Sequence, residues 1–136
     1  MPNLKTTMLW TLNFRVKSRD KAEKEFGRAE ELLGRKLLNA GFERYWKIPE
    51  HWTCNASTIF EAASEAEHIA GYLMLAQCLA TGWYVLGRWP DTFSGIFDVR
   101  HGSTGLSSLT WAQFQMNTAE PDAASAEWRA RRDPNS

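Results

Sequence analysis

The stretch TMLWTLNFRVK, residues 7 to 17, alternates without a break. Met8, Trp10, Leu12, Phe14 and Val16 fall on one side, and Thr7, Leu9, Thr11, Asn13, Arg15 and Lys17 on the other. A period of two is the signature of a strand with one buried and one mostly polar face. This strand sets the expectation for everything around it: a sheet covered on one side only.

Working outward, Ser18 can cap a helix with Asp20 in its first turn, where the helix dipole favours negative charge. Ala22, Phe26, Ala29, Leu33 and Leu37 recur at spacings of three and four, so residues 19 to 39 read as an amphipathic helix weakened by Gly27 and Gly34 and ended by Asn39-Ala40-Gly41. Two extended runs follow, 42 to 48 and 52 to 61, joined by a turn at Ile48-Pro49-Glu50-His51. A tight turn there sends Tyr45, Trp52 and Cys54 to one face and Trp46, Ile48, His51 and Thr53 to the other; a looser loop shifts that register. Ser64 and Glu67 form a capping box for a second helix, with Ile69, Tyr72, Leu73, Ala76, Leu79 and Ala80 as its buried stripe and Gly82 as its end. Residues 83–87, 93–100 and 106–116 are strand-like, and HGSTG, 101 to 105, reads as a hairpin loop.

The order β-α-β-β-α-β-β-β, with short connections, implies an α+β fold: a two-layer sandwich, mainly antiparallel, with both helices on one face and a broadly ferredoxin-like arrangement. Residues 1–116 are expected to form a single domain. Residues 117–136, rich in Ala, Ser, Pro and charge, are expected to form a mobile tail in which AEWRARR can make a short helix.

Composition excludes more than it identifies. Sixteen basic residues balance sixteen acidic ones, so charge draws the chain to neither nucleic acid nor anionic membrane. The start has no signal-peptide pattern and the longest apolar run is interrupted by Gln77, Thr81 and Gly82, so a cytoplasmic protein is expected. Cys54 and Cys78 stand apart, without the spacing of a metal pair, and suggest buried free thiols in a reducing compartment. His51 and Cys54 alternate onto opposite faces and make a poor metal pair. His68 is expected to be exposed. No G-x-S-x-G elbow or phosphate loop is present, so neither catalytic residues nor a cofactor are assigned. Seven tryptophans are the unusual count; large aromatic residues serve cores and interface anchors alike.

The second half, residues 64 to 116, runs from a helix into GWYVLG, then FSGIFDV, then LSSLTWAQFQM. This ending resembles that of bacterial immunity proteins that neutralise polymorphic or contact-dependent-inhibition toxins. The resemblance implies a cytoplasmic, cofactor-free α+β protein that masks one cognate toxin domain. Such proteins are often strongly acidic, whereas this chain is balanced, which weighs against a basic nuclease as the partner. The expected binding residues lie on the polar sheet face and its loops: Trp46, His51, Trp89, Asp91, Asp98, Arg100 and Trp111. The alternative is a small enzyme or ligand-binding domain, dimeric in one version, with Asp98, His101 and Tyr84 around a pocket between sheet and helices.

Overall fold

The computed structural model describes residues 4–45, 47–48, 50–88 and 92–117. The expected tail from residue 118 on lies outside them, as do Trp46, Trp89 and Asp91. The fold is the expected α+β one, built among the described residues from two helices and a six-stranded antiparallel sheet. In chain order come β1 (Leu4–Arg15), α1 (Arg19–Leu33), β2 (Leu38–Arg44), β3 (His51–Ala62), α2 (Glu65–Leu79), β4 (Ala80–Thr81), β5 (Tyr84–Leu86), β6 (Ser94–Asp98), β7 (Ser103–Thr104) and β8 (Leu109–Asn117). The main sheet runs β2-β3-β1-β8-β6-β5, and β4 pairs with β7 in a separate two-stranded ribbon.

β1 and β2, joined through α1, are separated by β3, which is the split β-α-β unit of a ferredoxin-like sheet. After α2 the chain does not return to the vacant side of β1. It goes to the far edge as β5, turns back as β6, and only then inserts β8 beside β1. The last strand among the described residues is therefore central in space.

The face of β1 expected to be buried is buried completely: Met8, Trp10, Leu12 and Phe14 are all at 0% exposure. Trp10 pairs with Ala56 of β3 and Phe114 of β8, small on one side and large on the other. Phe114 is the hub of the core, with Trp83, Phe93, Trp10 and Tyr72 rings centred 5.3, 5.8, 6.1 and 6.2 Å away. Full burial of each such side chain is worth about 1.5–3 kcal/mol.

Both helices begin as expected. Ser18 Oγ accepts from the Lys21 N–H at 3.3 Å and Ser64 Oγ from the Glu67 N–H at 3.2 Å. Their ends differ from expectation. α1 stops at Leu33 because Gly34 adopts φ 72°, a left-handed conformation, and its N–H closes on the Glu30 and Glu31 carbonyls. Gly34 is a terminator, and Leu37 is buried beyond the helix. Asn39-Ala40-Gly41 consequently falls inside β2, where Asn39 at φ 55° accompanies a register irregularity between Leu38 and Gly41. α2 ends at Leu79, and Trp83 closes it from outside the helix: its indole N–H donates to the carbonyls of Ala76 and Ala80, at 2.9 and 2.8 Å. Trp83 is therefore part of the core margin and lies outside β5.

His68 is buried, contrary to expectation. The buried stripe of α2 includes His68 and Leu75, while Ile69 and Leu73 are only partly covered. A polar network makes the burial tolerable. Since a carbonyl only accepts, His68 Nε2–H donates to Ala62 O at 3.2 Å; Nδ1 then accepts from Thr6 Oγ1 at 3.2 Å, and Thr6 accepts from the Tyr72 hydroxyl at 2.7 Å. Cys54 is buried as expected, and burial pushes its thiol pKa up, with Glu30 nearby adding to the shift; Cys78 is instead exposed. No helix among the described residues is long and apolar enough to cross a membrane.

Gly95 of β6 lies flat under Phe114. A Cβ there would sit 2.2 Å from that ring, which Trp83, Phe93, Trp10 and Tyr72 hem in. Gly95→Ala is expected to lower the unfolding free energy by about 1–3 kcal/mol, the usual cost of overpacking. Urea denaturation of the two proteins measures it, and an unchanged midpoint would show that the ring is free to move.

Candidate functional site

The sheet face turned away from the helices, here the reverse face, carries the odd-numbered residues of β1. Three of its rungs matter. Tyr45, His51 and Arg15 align at one end, since the Tyr45 N–H donates to His51 O at 2.8 Å and Arg15 pairs with His51. Next come Glu43, Thr53, Asn13, Trp111 and Asp98, and then Gly41, Asn55, Thr11, Gln113 and Ile96. The hairpin register follows from this: Arg44 faces Trp52 and Phe42 faces Cys54. The connection is longer than a tight turn at Pro49, so Tyr45 moves to the reverse face beside His51 and Thr53 and away from Trp52 and Cys54. The opposite orientations of His51 and Cys54 stand as the alternation requires.

Two chain reversals rise from the same end of the sheet, residues 45–51 and the turn that follows Asp98. Between them lies a trough of about 560 Å3, open to solvent. Thr11, Asn13, Thr53, Gln113 and Trp111 form its floor; Tyr45, Ile48 and His51 form one wall, and Val99, Arg100 and Thr110 the other, with Asp98 at the base of that wall. The volume lies within the range of small-ligand sites, about 300–1,000 Å3, but the trough lacks the enclosure typical of them. Glu50, in the first wall's loop, is held at φ 61°. A non-glycine residue in that region is a local strain of the kind that clusters at binding loops.

The floor is internally braced. The Thr53 hydroxyl donates to Asn13 Oδ1 at 2.8 Å, and the Thr110 hydroxyl to the Asn13 carbonyl at 3.3 Å. Among the described residues, the Gln113 amide and the Trp111 indole N–H have no side-chain hydrogen bond, which leaves them available to a bound group. Asp98 and Arg100 form a fork: Nη2 to Oδ2 is 2.6 Å, Nε to each carboxylate oxygen 3.1 Å, and the Arg100 backbone N–H adds a bond of 2.9 Å to Oδ1. The guanidinium and that backbone N–H hold the Asp98 carboxyl at about pKa 2, and Asp98 in turn raises Arg100. The Arg100 side chain remains 78% exposed against 23% for Asp98, so the arginine still has N–H groups to offer while the carboxylate is committed. A carboxylate held that low is a poor proton acceptor near neutral pH. The arrangement is suited to recognition more than to acid–base chemistry.

Of the residues singled out by sequence, His51, Asp98, Arg100 and Trp111 converge on this trough, from β3, β6, the turn after it and β8. The trio Asp98, His101 and Tyr84 does not frame a common pocket: His101, whose backbone N–H bonds the Asp98 carbonyl, is exposed and absent from the trough lining, and Tyr84 lies on the edge strand at 71% exposure. The groove between α2 and the sheet edge, about 290 Å3 and lined by Leu73, Gln77 and Trp83 among others, contains none of the three. Tyr45 was missed because the loop register was unknown; Ile48 had the correct face, with His51 and Thr53, but was not singled out, and Thr11 and Asn13 were already marked by the alternation of β1. No three His, Cys, Asp or Glu among the described residues are grouped to hold a metal. Compared with protein-family models, curated proteins and solved structures, the chain matches none.

The ion pair has a pH signature. Because the folded pKa of Asp98 falls from 3.8 to about 2, its stabilising contribution is full above the unfolded value and is lost as pH falls through about 2. A carboxyl-carbon NMR titration should give a midpoint near 2 for Asp98, returning toward 3.8 in Arg100→Ala. A wild-type midpoint near 3.8 would mean the fork does not form in solution.

Proposed function

We propose that the chain is a non-enzymatic protein-binding module that acts in the cytoplasm as an immunity protein, masking one cognate toxin domain with its reverse sheet face. The observation that carries the reading is the convergence of His51, Asp98, Arg100 and Trp111 on one open trough opposite the helices. An aromatic floor flanked by a charge-paired rim is the anatomy of an interface centre, where a few aromatic and arginine side chains dominate the binding energy. A footprint of about 1,600 Å2 in total would extend well beyond the trough onto the surrounding strands and loops. The near-neutral balance of charges around the trough suits a partner surface that is not strongly basic.

A second reading is favoured by the trough's volume, which suits a small uncharged planar molecule stacked on Trp111. The two differ in what accompanies the protein out of its native cell: one stoichiometric protein in the first case, a low-mass compound in the second.

Trp111→Ala is expected to weaken the partner complex by about 2 kcal/mol, roughly 30-fold, as loss of an interface anchor does. The melting temperature should change little, because Trp111 lies away from the aromatic core. Calorimetric titration and a thermal melt on the same samples check both halves. A large fall in melting temperature with unchanged affinity would assign Trp111 to the scaffold.

A further inference from the structure

The two edges of the main sheet are built differently. β2 is interrupted by the irregularity between Leu38 and Gly41 and presents Glu43 and Arg44 to solvent, devices that discourage pairing with another strand. β5 carries neither. Among the described residues no strand pairs with its outer edge, and Tyr84, Val85 and Leu86 are 71%, 45% and 41% exposed. Val85 shares a rung with Gly95 and Phe114 and so faces the helices, while Tyr84 and Leu86, level with Ile96 and Ser94, face the reverse side.

The surface beside this edge is equally free of charge. Residues 69–87 contain no Asp, Glu, Lys, Arg or His. Such a run is ordinary in a central strand such as β8, but here it reaches the surface. Met74 of α2 is 70% exposed, Gln77 and Cys78 are exposed near it, and the groove between α2 and Val85 is lined by uncharged side chains alone. A helix that is apolar all round normally has both sides covered, and α2 from Ile69 onward has one side open. Loss of charge together with exposed Tyr and Met is the composition of an interface centre. A lipid surface is met by Lys and Arg around an apolar patch, and residues 69–87 supply none.

What β5 matches is itself. We infer that two copies of the chain join antiparallel along β5, with a twofold axis at Val85, into one continuous sheet. Val85 then meets its counterpart on the helix side, and Tyr84 meets Leu86 of the second copy on the reverse side, so every rung sets apolar against apolar and no like charges oppose. Three rungs span only about 10 Å, so the contact belongs with the small, transient interfaces below about 1,200 Å2 in total. Both reverse faces lie on the same side of the joined sheet, with their troughs open. The inference goes beyond the masking function and does not rest on it, since its test needs no partner.

Sedimentation of the full chain from about 1 μM to about 1 mM, the range of a weak contact, is expected to show a dimer that grows with concentration. Val85→Lys should stay monomeric throughout and keep the wild-type melting temperature at dilution, because that side chain is half exposed. Cross-linking reads the register, in a Cys78→Ser background that removes the exposed thiol while Cys54 stays buried. Opposed Cα atoms lie about 4.5–5.5 Å apart, within disulfide reach, so Val85→Cys should couple to its own copy. Tyr84 and its counterpart would be about 8 Å apart, too far for a bridge, so Tyr84→Cys should couple only when mixed with Leu86→Cys. A wild-type chain that is monomeric at about 1 mM would overturn the dimer and leave the edge to a partner of another sequence. A dimer untouched by Val85→Lys, or Tyr84→Cys coupling to itself as readily as to Leu86→Cys, would overturn it as well.

Discussion

Everything in this molecule hangs on β1 being paired along both edges while one of its faces is sealed. Its even-numbered side chains, from Met8 to Phe14, are inaccessible to water, and the strand bonds to β3 and β8 over most of its length. A one-residue slip on either side would carry Trp10 and Phe14 to the reverse face and bring Asn13 and Arg15 into the core. The register is therefore fixed by hydrophobic burial, and the rungs of the reverse face are fixed with it. Asn13 lies between Thr53 and Trp111 for no reason of its own; Trp10, Leu12 and their partners on the other side determine it.

The site inherits this rigidity. Trp111, Asp98 and His51 are far apart in sequence and each sits at or near the end of a strand, yet the same rungs bring them to one end of the sheet. The two chain reversals that form the trough walls need only project from that end. The Asp98–Arg100 fork ties one wall to its own strand, and the Thr53–Asn13–Thr110 bonds brace the floor. The floor and the Arg100 wall thus need little ordering to receive a partner, which lowers the entropic cost of binding.

Much of the architecture was legible in the residues, because periodicity reports which face is buried and caps report where helices begin. β1, the two N-caps and the hairpin faces of His51 and Cys54 follow from local chemistry. The departures have a common cause: they depend on contacts distant in sequence. Gly34 ends α1 because Leu37 and β2 must reach β3, and a helix interior and a helix end look alike around a lone glycine. His68 reads as a surface residue until Thr6, sixty-two positions away, supplies its partner. Tyr45 changed face because loop length, which composition specifies poorly, sets hairpin register. Of the residues that line the trough, Thr11, Asn13, His51 and Ile48 had been given the correct face by alternation, whereas Tyr45, which depends on the loop, had not.

The position of β8 has a consequence for how the protein comes into being. Of the strands among the described residues, the one that fills the middle of the sheet is made last, so β1 and β6 each wait with an unsatisfied edge until Leu109–Asn117 has emerged. Pairings between distant segments form slowly, and an open edge is a template for another chain. Closure of the sheet should then wait for β8, and a ribosome stalled before Leu109 would hold a nascent chain prone to aggregation.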